Sequence, residues 1–385
     1  MYVCRGDSRI ASTGLVIYSI EKRCKVCLTE CSRSLHRGDR FFILIWGFNG
    51  SRNQLKREVS VKFAFIIDPI HKIDPTHDST VAMMEGAQAL GHEVWITEIT
   101  QLSAIASKAW AQLQPVRLSP VQRVDGHWQK VEPWYELGDR RQLCLEEMDA
   151  VFMRKDPPVT TAFLYATYIL DYIDPEKTLV VNHPPGLRNA NEKIYALQFT
   201  NAIPETIVSQ HKSEILAFTE NQGAAVLKPI GGKAGEGILF LKPDDPNFNS
   251  LVEISTQQGT MPVMVQAYLP AAREGDKRII LLDGEPIGAI NRVPSGTEFR
   301  GNMAVGGKVV QTEITQREYE ICATVAPKLR EDGLYFVGLD VIGGYLTEVN
   351  VTSPTGIREA DLFHPDRVPL GHQVIQWAET RIQNL

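Results

Sequence analysis

Hydrophobic positions fall into order only part-way along the chain. The first sixty residues show neither a helical nor a strand period, whereas residues 61–67 form an apolar run, ending at Asp68-Pro69, of the kind a buried strand requires. Asp78, Ser79 and Thr80 offer a cap to a helix over 81–90, Gly91 closes it, and 93–98 returns as a strand. Further strands are predicted at 150–153 and 179–182, separated by a helix over 161–173, so this part reads as a doubly wound parallel sheet. From Pro204 the pattern becomes one of short strands, at 225–228, 237–241, 263–268, 277–282 and 287–292, with one helix between the second and third. A helix over 315–332 leads into a hairpin, 335–342 and 345–351, turned at Gly343-Gly344. The second part is therefore α+β.

Composition sharpens the boundary. The 385 residues, 43% of them apolar, suffice for two or three cores. The net charge of −6 argues against nucleic acid as a partner. Residues 1–60 hold 11 Lys and Arg against 5 Asp and Glu, which leaves 29 of the 40 basic and 41 of the 46 acidic residues to the remainder. Four of the six cysteines, Cys4, Cys24, Cys27 and Cys31, also lie there, leaving Cys144 and Cys322 as ordinary buried residues in a reducing, cytoplasmic setting. The Cys24, Cys27, Cys31 cluster lacks a well-spaced fourth zinc ligand, Cys4 and His36 being the only completions, so no metal is expected on it. The simplest account of residues 1–60 is an upstream stretch translated in error, with initiation near Val61. The longest obvious apolar run, 41–48, falls short of the roughly 18 residues of a membrane span, and 11–20 makes a poor signal sequence.

Three features carry chemistry. Asp340, Glu348 and Asn350 lie on the two arms of the last hairpin and offer hard oxygen ligands suited to magnesium. A plain two-residue turn would send Glu348 to the opposite face from Asp340, so a three-residue loop or an equivalent bulge is expected. Lys193 and Lys228 form the second feature, Lys228 standing before a glycine-rich loop over 229–237 that can cover phosphates. The loop matches neither the GxxxxGK[ST] nor the dinucleotide pattern. The third is the polar, glycine-rich stretch 292–307, long enough to be a lid.

Taken together, Met153-Arg154-Lys155-Asp156-Pro157-Pro158, Asn191-Glu192-Lys193, Gly275-Asp276-Lys277-Arg278, Arg300-Gly301-Asn302, Gly338-Leu339-Asp340 and Thr347-Glu348-Val349-Asn350-Val351-Thr352-Ser353-Pro354-Thr355 resemble bacterial glutathione synthetase, an ATP-grasp enzyme. The resemblance runs from Val61 to the end and implies a non-family extension over 1–60, an N-terminal pre-ATP-grasp domain over 61–188 and an ATP-grasp domain over 189–385. The latter divides into a small lobe at about 189–262 and a large lobe at about 263–385. It implies that Asp340, Glu348 and Asn350 bind magnesium, or manganese in its place. ATP would be held by Lys193, Lys228, the loop glycines Gly231, Gly232 and Gly235, the segment Gln266, Tyr268 and Leu269, and Asp276. Arg154, Ser353 and Thr355 would contact substrate, Asp276 and Arg278 would reach it too, and Arg292 and Arg300 match lid arginines that act with Arg278 in catalysis. The implied reaction joins γ-glutamylcysteine to glycine through an acyl phosphate, in a cytoplasmic homo-oligomer such as a tetramer, with no nucleic acid or membrane partner. Another ATP-grasp carboxylate–amine ligase and a nucleotide-binding regulatory module are the alternatives, the metal-binding set and both lid arginines speaking against the module. His71 and His77 read as surface or loop residues and Trp134-Tyr135 as partial core.

Overall fold

The computed structural model describes residues 60–385, apart from Ala234, 297–300 and 302–305. The amino-terminal cysteine cluster, the account of residues 1–60 and Arg300 lie outside the described residues.

β1 (Lys62–Ile66) is buried on both faces: Ala64 and Ile66 enter one hydrophobic core, Phe63 and Phe65 another. That is why it reads as a continuous apolar run. α1 (Ser79–Ala89) starts at Asp78, whose Oδ1 accepts from Val81 N at 2.8 Å, and the chain turns at Gly91, φ +86°, into β2 (Glu93–Thr97). Residues 102–144 build an antiparallel addition of β3 (Leu102–Ile105), β4 (Lys108–Leu118), β5 (Gln122–Val124), β6 (His127–Gln129), β7 (Tyr135–Leu137) and β8 (Arg141–Cys144). β4 pairs with β2, β3, β7 and β8, while β5 and β6 form a separate hairpin. β9 (Ala150–Met153), α2 (Thr161–Leu170), β10 (Leu179–Val181) and α3 (Pro184–Asn189) follow. The sheet order is β10-β9-β1-β2-β4-β3, parallel from β10 to β2 and antiparallel beyond. The expected parallel sheet is thus present, with a mixed edge.

A second, antiparallel sheet holds β11 (Thr206–Ser209), β12 (Ala225–Pro229), β13 (Leu239–Leu241) and β14 (Val263–Ala267), in the order β11-β14-β12-β13. α4 (Lys212–Gln222) and α5 (Phe248–Ser255) close its core through Ile215 and Val252. β14, through Ala267, is an inner strand of this sheet.

The third sheet runs β17-β16-β15-β18-β19, from β15 (Asp276–Leu282), β16 (Glu285–Val293), β17 (Lys308–Gln311), β18 (Phe336–Ile342) and β19 (Tyr345–Asn350). α6 (Gln316–Glu331) shares a core with Ile279, Leu281 and Leu339; α7 (Ile357–Phe363) and α8 (Leu370–Ile382) share one with Ile280, Leu282 and Ile290. α6 begins in a reciprocal cap: Thr315 Oγ1 accepts from Glu318 N, and Glu318 Oε2 accepts from Thr315 N at 2.7 Å. Such a cap contributes about 1 kcal/mol. α1 is buried from Ser79 to Ala87, and α8 covers it at a glycine contact. A Cβ on Gly371 would sit 2.3 Å from Ala82 O. No helix among the described residues is long and apolar enough to cross a membrane.

Asp361, near the end of α7, accepts from Leu370 N at 3.0 Å and so ties α7 to α8. Burial pushes its carboxyl up to about 6 from 3.8, against the pull of that N–H and of Arg358. The folded state therefore binds the proton more tightly than the unfolded state, and this group's contribution to stability falls as pH rises from about 4 to about 6. Asp361→Asn keeps the acceptor and is expected to raise the melting temperature at pH 7.5 but not at pH 4. Thermal unfolding at both values checks it.

Candidate functional site

A cleft of about 360 Å³ opens between the second and third sheets. The third sheet supplies its charged wall by register alone. Arg278 pairs with Asp340 across β15 and β18, Asp340 with Glu348 across β18 and β19, and Asp276 with Arg292 across β15 and β16. Directly opposed residues share a face, as do residues two apart, so all of these and Asn350 face the same way. Leu339, Val341 and Val349 alternate into the core behind. Gly343 and Gly344, at φ +55° and +78°, make a two-residue turn, and a bulge after Asp340 sets Val341 opposite Leu346. The bulge, not a three-residue loop, brings Asp340 and Glu348 together. Gly338 is needed because the Arg278 side chain lies across it: a Cβ there would be 2.9 Å from Arg278 Cδ.

Asp340 is buried between two guanidinium groups, with Arg278 Nε at 2.5 Å and Arg292 Nη2 at 3.0 Å from its Oδ1. Burial opposes its ionisation, but the two arginines outweigh burial and hold the carboxyl well below the usual range. Arg292 also reaches Asp276 Oδ2 at 2.7 Å and is itself pushed up, since its carboxylate neighbours outweigh its burial. Burial pushes Asp276 up to about 6, helped by Asp340 and opposed by Arg292 and Arg278. Its Oδ1 is buried with no hydrogen-bond partner among the described residues. Lys193, buried, donates to Gly232 O at 2.7 Å and Glu348 Oε1 at 2.8 Å. Lys228, half-buried, donates to Gln266 Oε1 at 2.6 Å, and burial lowers its pKa. Asn350 spends its amide N–H on Gly338 O. Two carboxylates and an amide oxygen on one face are a donor set of the class magnesium takes.

The second sheet supplies the rest of the cleft: Val226 and Ile238 are apolar walls, Tyr268 is braced edge-on by Phe240 at 4.8 Å, and Leu269 follows it. Gly232 and Gly235 line the cleft, but Gly231 does not, and a Cβ there meets nothing within 4 Å. Ser353 and Thr355 line the opposite end with Asp156 and Pro157, which the sequence reading had given no role. Arg154 stands behind that wall rather than in it. It is buried against the Phe336 ring, donating to Thr80 Oγ1 at 3.0 Å and Pro354 O at 2.9 Å. Ser353 donates to Arg154 O, and Arg278 donates to Thr355 O.

Cys144 and Cys322 are buried and unpaired, and burial pushes the Cys322 thiol up to about 12. His71 is exposed, His77 pairs with Glu359 at 2.8 Å, and Trp134 packs edge-on to Tyr135.

Two antiparallel sheets closing on a cleft of lysines, carboxylates and arginines define a class. A solved D-cycloserine synthetase aligns with a TM-score of 0.55 at 14% identity, covering 83% of this chain and 99% of its own. The ATP-grasp ligase PsnB, solved with a minimal precursor, aligns with a TM-score of 0.53 at 16% identity, covering 83% and 99%. The fold is that of the ATP-grasp ligases. Within that class, residues 61–188 match the family model of the prokaryotic glutathione synthetase N-terminal domain and 192–364 that of its ATP-grasp domain. The glutathione synthetase of Nostoc sp. strain PCC 7120 is 66% identical over 323 residues, covering 84% of this chain and 99% of the relative. That of Synechocystis sp. strain PCC 6803 is 66% identical over 319 residues, covering 83% and 99%. The chain belongs to the prokaryotic glutathione synthetase family.

Proposed function

We infer that the protein joins γ-glutamylcysteine to glycine at the expense of ATP, releasing glutathione, ADP and phosphate. The observation that carries this reading is the meeting, in one cleft, of Lys193 and Lys228 with Asp340, Glu348 and Asn350. The γ-phosphoryl group of ATP passes to the cysteinyl carboxylate, giving an acyl phosphate. The glycine amine, as its free base, then attacks the carbonyl carbon, the C–N bond forms, phosphate leaves with the C–O bonding pair, and the nitrogen gives up one proton to phosphate or water. No protein nucleophile is needed, and the chain's work is positioning and charge compensation.

Val226 and Ile238 suit the flat faces of a nucleobase, and Gln266 to Leu269 its edge. The orphan Oδ1 of Asp276 suits a nucleotide hydroxyl. Lys193 and Lys228 exchange their protein acceptors for phosphate oxygens. Arg278 and Arg292 would meet the charge that builds on the transferring group, and the family resemblance assigns Arg300 a lid role. Magnesium held by Asp340, Glu348 and Asn350, or manganese in its place, supplies neutralisation of phosphate charge. Arg154 acts by holding the segment that presents Ser353 and Thr355 to the peptide substrate. Residues 61–188 serve as the substrate domain, and the working form is a cytoplasmic homo-oligomer.

The test is phosphate release from ATP by the purified full chain, with mass spectrometry of the product. Release is expected only when γ-glutamylcysteine and glycine are both present. Release with other amino-acid pairs alone would assign a different ligase, and ATP binding without turnover would assign a regulatory module.

A further inference from the structure

β19 is the outer strand of the third sheet, so one row of its N–H groups has no ladder partner. A bare outer strand shifts, or recruits another chain. Here the segment that carries Lys193 takes up that row. Leu346 N donates to Ala202 O at 2.8 Å, and Val349 N to Glu192 O at 2.9 Å. Past the last ladder pair the Glu192 side chain takes over. Its Oε1 accepts from Val351 N at 2.9 Å, Thr352 N at 3.1 Å and Thr352 Oγ1 at 2.7 Å.

A second side chain grips the same place from the parallel sheet. Asn182, buried just after β10, fills all four bonding positions of its amide, each at 2.8 Å. Nδ2 donates to Phe336 O and Val351 O, and Oδ1 accepts from Tyr335 N and Phe336 N. Val351 is therefore held by its N–H from Glu192 and by its carbonyl from Asn182.

We propose that Glu192 is a positioning residue for the ligase reaction: by accepting three hydrogen bonds from Val351 and Thr352 it fixes the exit of β19, which sets Glu348 and Asn350 against Asp340 and presents Ser353 and Thr355 to the cleft. The proposal rests on the ligase reading of that cleft. The geometry makes Glu192 an acceptor rather than a charge. No cation among the described residues pairs with it, and its three donors are a hydroxyl and two backbone amides. Burial and the nearby Glu348 push its carboxyl up, so its charge is a burden to the site. Lys193 is the next residue in the chain and is bonded to Glu348, so the same clamp registers the lysine against the metal-binding face.

Two substitutions separate the roles. Glu192→Gln keeps an oxygen for the three donors and discards the charge, whereas Glu192→Ala discards both. In the phosphate-release assay, kcat/KM of the glutamine variant is expected within about fivefold of wild type, the difference between a charged and a neutral acceptor. The alanine variant is expected to lose on the order of 100-fold, as misplacement by about 1 Å does, with the loss shared between kcat and the KM for γ-glutamylcysteine. Hydrogen exchange of the Val351 and Thr352 amides should quicken in the alanine variant only. A glutamine variant as impaired as alanine would show that Glu192 acts through its charge and overturn the proposal. So would an alanine variant whose only defect is a smaller folded fraction with unchanged KM values. A wild-type protein silent with both substrates would instead overturn the ligase reading, and this role with it, even where amide exchange shows the clamp intact.

Discussion

Asp340→Asn is expected to cut glutathione formation by on the order of a thousandfold while leaving a folded protein, because it removes a proposed metal ligand and the carboxylate that bonds both Arg278 and Arg292. Asparagine keeps the shape and one acceptor for Arg278. The loss therefore lies in charge. With Arg278 stripped of its carboxylate and Arg292 left to Asp276 alone, ATP should bind the variant at least as well as wild type in the presence of a chelator, and added magnesium should tighten binding far less. Titration calorimetry with and without chelator reads both. The wild-type carboxyl is held far below its unfolded value, so its pairing contributes stability above about pH 4 and loses it only as pH falls through the folded value. The variant should accordingly melt below wild type at pH 7 and approach it in strong acid. Undiminished magnesium dependence in the variant would remove Asp340 from the metal site.

Lys228→Met should move activity and stability in opposite directions. Among the described residues the amine has a single acceptor, Gln266 Oε1, and burial lowers its pKa, because the folded protein solvates the charged form poorly. Methionine fills the same volume without that cost, and a rise in melting temperature of about 2–4 °C is expected. The proposed phosphate contact would be lost at the same time, and ATP affinity should fall by on the order of 100-fold. A variant that binds ATP normally would place the phosphates elsewhere. One that melts lower would mean the Lys228–Gln266 bond outweighs the burial of the charge.

What the sequence disclosed follows from how each element is covered. β1 was legible because both faces are buried and polar residues are nearly excluded, and α1 because Asp78 and Gly91 mark its ends. α4 escaped because only Ile215 and Thr219 are buried on it, too little for a helical period to show. Residues 102–144 escaped because in β4 the buried set Ala109, Ala111 and Leu113, alternating with Gln112 and Gln114, is small and polar-flanked, and Pro115 breaks the alternation before Val116 and Leu118 resume it out of phase. The charged face of the third sheet was legible down to the bulge, since placing Glu348 beside Asp340 requires one extra residue. The substrate contact expected of Arg154 came from the family resemblance alone, and no local pattern could show that its guanidinium bonds the Pro354 carbonyl. The clamp on Val351 left no local signal: Glu192 and Asn182 meet a strand some 160 residues further along, and neither spacing nor composition connects them.

The glycine contact between α1 and α8 bears on how the polypeptide matures. α1 presents no face suited to water, and its outer surface is completed by a helix made some 280 residues later. While the nascent protein is still emerging from the ribosome, the opening βαβ unit must wait with oily surface uncovered. The first family module is thus finished only by a helix that follows the second, and trimming α8 would be expected to uncover the opening unit.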